Sequence, residues 1–217
     1  MLLSKKLLAL REPRLYLSME RSYLALLKFI IVAFGAGLLA RKVAMALVFF
    51  HDQRLRPFFL DLYHLLTIPA VVTIFLLIPI FWRDLRSLSQ GPSVSAKEMN
   101  DPRVYFSAER TFLSWTRTAL SSLALAFVLA KFDFFLRKFS LVLHQPIPLL
   151  HRLSGTNTLF IGFAVVLMVF GFWGLAATLN DIQRGECATH VWRYILFLLM
   201  LFLVGMGMLH LLLLLGR

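Results

Sequence analysis

Two triplets of basic residues recur at intervals of seven: Arg14, Arg21 and Lys28, then Arg103, Arg110 and Arg117. Seven residues make nearly two helical turns, about 10.5 Å of rise, so each triplet forms one cationic stripe along a helix face. Fixed cations in a row can replace the hydration of an anion and hold or pass it on. Lys28 and Arg117 lie deepest, beyond the first aromatic residues of apolar runs. A cation there costs about 2.5–3.5 kcal/mol at mid-membrane and less near the interface, so it faces protein or water, or snorkels to the headgroups. Two acids, Glu20 and Glu109, accompany the stripes. Helical ion pairs need a spacing of three or four. At those spacings Glu20 meets Tyr16, Leu17, Tyr23 and Leu24, and Glu109 meets Tyr105, Phe106, Phe112 and Leu113. Neither acid has a basic partner on its own helix, so both are expected to pair with cations across helices, between repeats or between subunits.

These residues sit in apolar surroundings. Hydrophobic residues make up 59% of the 217 and charged residues 16%, against about 45–50% and 25% in soluble domains. The apolar residues form blocks rather than a periodic pattern, and about 20 residues of helix cross a bilayer. Five spans are expected: Tyr23–Ala40, Leu62–Trp82, Thr111–Ala130, Asn157–Leu179 and Val191–Leu215. Residues 43–50 either extend the first span or form a short interfacial piece. Pro69 and Pro79 fall inside the second span, where neighbouring helices can satisfy the freed carbonyls and a kink is expected. Residues 1–22 read as an interfacial N-terminal segment and 83–100 as a polar linker rich in Ser, Gly and Pro. The connection KFDFFLRKF to HQPIPLLHR reads as a long link, with Pro146 and Pro148 against a continuous helix.

The segments EPRLYLSMERSYLALLK at Glu12 and DPRVYFSAERTFLSWTR at Asp101 match without a gap at an offset of 89. Such self-similarity marks a repeat. The expected fold is therefore all-α: a polytopic transmembrane bundle of two parallel tandem repeats. The first, degenerate repeat covers 12–82 with two spans. The second covers 101–217 with three. Two intervening spans return the chain to the same side, so both charged openings share a leaflet.

With the N-terminus inside, inner segments hold twelve Lys and Arg and outer segments nine. That modest bias places the N-terminus in the cytoplasm. The net charge of +12 flanks hydrophobic blocks, where it anchors spans against anionic headgroups. The lipid bilayer is the expected partner, and nucleic acid is not. The single Cys187 allows no intrachain disulfide. No phosphate-binding glycine loop, nucleophile elbow or facing acid pair is present, so no enzyme activity, catalytic residue, cofactor or metal is expected. Ser121, Ser122 and Thr118 are expected to bond back to helix carbonyls. Asp61, His64, His51, Asp52, His144 and His151 fall on one expected side. They could ligate metal or haem, although interfacial histidines in loops are commoner. Gly35, Gly37, Gly155, Gly162, Gly171, Gly174, Gly205 and Gly207 mark places for close helix approach.

The run Ser107, Glu109, Arg110, Thr111, Phe112, Leu113, Trp115, Arg117 and Thr118 strongly resembles the opening of the domain of unknown function 202, a YidH-like family of small membrane proteins. The resemblance covers 101 to about 217. In the first copy Glu20, Arg21 and Lys28 persist, while Leu26 replaces the Trp and Phe29 the final Thr. The same domain is similar to the membrane part of the vacuolar transporter chaperone complex, which makes and translocates polyphosphate. There, basic residues of the first helices line a central path in an oligomer. That resemblance implies Arg21, Lys28, Arg110 and Arg117 as path residues, Arg14 and Arg103 at the entrance, and Thr111, Trp115 and Thr118 in support. It also implies a bacterial inner (plasma) membrane location. Two functions follow: an oligomeric conduit or transporter component for an anion such as phosphate or polyphosphate, or a non-catalytic scaffold or accessory subunit of a larger membrane complex.

Overall fold

The computed structural model describes residues 13–49, 54–89, 102–143, 155–184 and 191–216. Within them lie five helices: α1 (Pro13–Phe49), α2 (Arg56–Ser89), α3 (Pro102–Leu143), α4 (Gly155–Arg184) and α5 (Val191–Gly216). All five are long and apolar enough to cross a membrane. The all-α, five-span expectation holds among the described residues. The helix form follows from the solvent: hydrocarbon offers backbone groups no partner, so each segment must satisfy its own.

The helices overrun the expected spans. At 37 and 42 residues, α1 and α3 are about 55 and 63 Å long, against a hydrocarbon core of about 30 Å. Pro13 to Ser22, expected in an interfacial segment, are the first turns of α1. Residues 43–49 extend α1 rather than forming a separate piece. Helix α2 runs through Pro69 and Pro79 and on through Arg83–Ser89. The KFDFFLRKF run is the continuation of α3. Pro146 and Pro148 lie outside the described residues.

Side-chain contacts fix the topology. Tyr23 meets Asp84 at one end of the α1–α2 pair, and Gly37 meets Thr67 further along, so these helices run antiparallel. Helices α3 and α4 are antiparallel too: Asn157 reaches Asp133 at one end, and Phe112 touches Phe172 at the other. Helix α5 lies antiparallel to α2, with Phe197 on Phe81 and Phe202 on Phe75. Helices α1 and α3 run parallel, because Thr111 bonds Leu17, Thr118 bonds Leu24 and Lys42 reaches Asp133. The two charged openings therefore emerge at the same end.

The core is apolar and aromatic, with Leu24, Leu27, Ile31, Phe34, Ile74, Phe81, Phe160, Met200 and Leu201 at 0–1% exposure. Without a hydrophobic drive between helices in lipid, association rests on packing and hydrogen bonds, which small residues promote. A Cβ on Gly37 would fall 2.6 Å from Thr67 Cγ2, one on Gly35 2.8 Å from Leu125 Cδ1, and one on Gly171 2.8 Å from Trp115 Cβ. Gly205 and Gly207 lie against Ile74 and Phe163. Gly155 and Gly162 face open space, contrary to the packing role expected of them.

Candidate functional site

The site lies where the parallel helices α1 and α3 open at their N-terminal ends. A cleft of about 470 Å³ there is lined by Arg14, Leu15, Ser18 and Arg21 from α1 and Arg103, Phe106, Ser107 and Arg110 from α3. Three lining pairs stand 89 residues apart, the offset of the two matching segments: Arg14 with Arg103, Ser18 with Ser107, and Arg21 with Arg110. Arg14 and Arg21 are half-buried, while Arg103 and Arg110 are exposed. Helical periodicity explains the gathering. Positions seven apart share a face, and the stripe on each helix flanks the α1–α3 seam on the side away from α2, α4 and α5. Four positive charges in one concave opening raise the local potential for anions. The guanidinium fork presents several N–H donors that match phosphate oxygens.

Lys28 and Arg117 do not join this cleft. Both are exposed further along the same faces, so within one chain neither is enclosed. The hydrogen bonds set the stripes nearly in register. The Thr111 hydroxyl is shared between the Ser107 and Leu17 carbonyls and the Thr118 hydroxyl between those of Ser114 and Leu24, so Ser107 stands about level with Leu17 and Ser114 with Leu24. Arg110 thus lies near the height of Arg21 and Arg103 near that of Arg14, and the two stripes run side by side as one ladder.

The acids have different fates. Glu20 is buried at 2% exposure, and its Oε1 accepts a hydrogen bond from Trp115 Nε1 at 2.7 Å. The contact crosses from α1 to α3, with the Trp115 indole as a donor. Trp115 is seated by Gly171, by Phe170 stacked at 6.3 Å and by Phe197 edge-on at 5.7 Å. Glu109 is exposed, and among the described residues it makes no ion pair. The expected pairing of Glu109 is not seen among the described residues.

Thr111 and Thr118 bridge both ways. Thr111 Oγ1 donates to Ser107 O at 2.9 Å and approaches Leu17 O at 3.3 Å. Thr118 Oγ1 does the same with Ser114 O at 2.9 Å and Leu24 O at 3.5 Å. Ser121 bonds back to Arg117 O as expected. Ser122 does not: it donates to Phe160 O on α4 at 2.8 Å.

Sequence reasoning missed a second polar cluster near the other end of the α1–α3 seam. Lys42 Nζ meets Asp133 Oδ1 at 2.6 Å, with side-chain exposures of 0% and 8%. Lys42 also donates to Leu129 O at 3.3 Å, and Asn157 Nδ2 donates to Asp133 Oδ2 at 2.8 Å. Lys42, one of the nine outer cations by sequence, lies in the interior at 0% exposure. Tyr23 was missed too: its hydroxyl donates to Asp84 Oδ2 at 2.7 Å and ties α1 to α2.

Of the metal candidates, Asp61 and His64 are exposed, and His51, Asp52, His144 and His151 lie outside the described residues. Among the described residues no three His, Cys, Asp or Glu side chains converge on a metal-sized site.

No curated protein and no solved structure matches the chain. The second half does match a family: residues 103–183, from the arginine of the cleft through α3 and nearly to the end of α4, fit the family described as Domain of unknown function (DUF202).

Proposed function

We propose that this protein is a non-catalytic membrane component that gathers an anion of the phosphate or polyphosphate class at one mouth of an oligomeric conduit. The observation that carries the reading is the cleft, where two helices each contribute two arginines and a serine around one opening. Guanidinium and hydroxyl donors around a shared concavity suit a multiply charged oxyanion, whose hydrogen bonds to arginine are charge-assisted and can be bidentate. Lys28 and Arg117 continue the ladder inward on the exposed face, where a second chain or water would have to shield them from lipid. In this reading the N-terminus and the cleft lie on the cytoplasmic side of a bacterial inner membrane, an orientation supported by the excess of Lys and Arg on the inner segments.

A specific observation favours the scaffold alternative. The interior gaps beside Trp115 are only about 10 Å³ each, room for one water, and aromatic side chains fill the surroundings. One chain by itself holds its helices together rather than surrounding a path there. Proteoliposomes separate the readings. Wild-type protein should pass phosphate or short polyphosphate, and Arg117→Ala should abolish most flux while leaving assembly intact. Correctly assembled wild-type protein without anion flux would leave the scaffold.

A further inference from the structure

The α1–α3 seam has two different sides. Helix α1 contributes Leu17, Glu20, Leu24, Ile31 and Gly35, all buried. Helix α3 contributes Thr111, Trp115, Thr118 and Leu125. In repeat terms the latter correspond to Ser22, Leu26, Phe29 and Ala36, about half a turn around the helix from the face that α1 uses. Helices related in this way make a head-to-tail interface, which leaves one unused copy of each side and propagates until it closes or runs on.

Both unused copies are on the surface. The counterpart of the α1 side is the α3 face of Phe106, Glu109, Leu113, Leu120 and Ala124, all exposed, with Phe106 at 59% and Leu120 at 56%. The counterpart of the α3 side is the α1 face of Ser22, Leu26, Phe29 and Ala36, also exposed, with Phe29 at 72%. We infer that these two faces bind each other between copies of this chain, repeating the α1–α3 seam from one molecule to the next. The register follows from the seam within the chain. Phe106 of one copy lies beside Ser22 of the next, as Leu17 lies beside Thr111. Likewise Leu113 lies beside Phe29 and Ala124 beside Ala36, as Gly35 lies beside Leu125. The small residue survives at the point of closest approach.

The charged ends lose their partners in this copy-to-copy seam. Glu109 meets Leu26 where Glu20 has Trp115, and Lys131, the counterpart of Lys42, meets Ala44 where Lys42 has Asp133. Glu109 and Lys131 are 22 residues apart, about 33 Å along the helix, which puts them at opposite edges of the hydrocarbon where water reaches. Lys131 also has the Phe127 ring at 5.3 Å. The contact between copies is accordingly weaker than the contact within one. Because the stripes lie on the side away from α2, α4 and α5, a row of such seams turns every stripe to one common side. The inference rests on the oligomer in the proposed function and not on the anion.

Disulfide trapping in native membranes tests the register. In a Cys187→Ser background, Ser22→Cys with Phe106→Cys should give dimers and higher multiples of the chain under mild oxidation. Leu17→Cys with Thr111→Cys should close within one chain and serves as the control. Closure of the control without intermolecular products overturns the inference, as does cross-linking only to a protein of different mass. Leu26→Trp should restore the missing indole donor and tighten association about tenfold, as expected for one hydrogen bond to a charged group, measured by energy transfer between labelled copies in vesicles. No gain, or the same gain with Glu109→Ala added, overturns the proposed register. Cross-linking that succeeds in protein without anion flux would sink the conduit alone and leave the interface standing.

Discussion

Lys42 and Glu20 stand 22 residues apart on one helix, about 33 Å, and each is held by a side chain of α3. That separation nearly equals the thickness of the hydrocarbon core. The two helices are thus fastened at two levels about a hydrocarbon thickness apart, by the Glu20–Trp115 hydrogen bond and the Lys42–Asp133 ion pair, with apolar and small residues between.

Removing one member of the buried ion pair should be costly. Lys42→Ala or Asp133→Ala leaves the other charge without its partner, and such losses run to about 3–5 kcal/mol. Replacing both, as Lys42→Met with Asp133→Leu, should recover most of it. Unfolding in mixed micelles would check this, and a double variant no better than the singles would contradict it.

Trp115→Phe keeps the ring packing and deletes the N–H that serves Glu20. The expected loss is about 1–3 kcal/mol, the loss of one hydrogen bond to a buried carboxyl group. The same change in a Glu20→Leu background should cost less, because the acceptor is already absent. Paired unfolding curves in a double-mutant cycle would give the coupling.

Glycine substitutions should divide sharply by position. Gly37→Val forces atoms into Thr67 and the Tyr63 carbonyl, and overpacking of this kind costs about 1–3 kcal/mol. Gly162→Ala has open space and should be neutral or stabilising, since alanine is the better helix former by about 1 kcal/mol. Thermal inactivation of the two purified variants is sufficient to compare them.

The arginine cleft should bind anions in a salt-dependent way. Arg21→Ala and Arg110→Ala should each weaken phosphate or polyphosphate binding about tenfold, the loss of one hydrogen bond to a charged group. Wild-type affinity should fall between low and physiological salt as screening shortens the reach of the exposed charges. Titration calorimetry at two ionic strengths would measure both effects, and binding indifferent to salt would contradict them.

Much of the architecture was legible because the apolar blocks are long and the repeat is ungapped. The gathering of Arg14, Arg21, Arg103 and Arg110 followed from seven-residue spacing plus parallel helices. Helix ends were harder to read: charged and aromatic residues at Arg83–Ser89 and in KFDFF look like links, yet both continue helices. The Lys42–Asp133–Asn157 cluster was hidden because it depends on three helices meeting at one level, which no local pattern encodes. A lone aspartate between phenylalanines was the available signal. Glu20 was expected to reach across the seam, and there it accepts from the Trp115 indole, a donor that reasoning from charge alone does not suggest.

The excess length of α1 and α3 has an electrostatic consequence. Arg14 lies six residues before Glu20, about 9 Å nearer the helix start. A helix of 37 residues outruns a hydrocarbon core of about 30 Å, so its first turns have length to spare for the headgroup layer, where lipid phosphates compete for the outer guanidinium groups. Any soluble anion using this cleft must displace them, so apparent affinity should depend on the fraction of acidic lipid as well as on the protein.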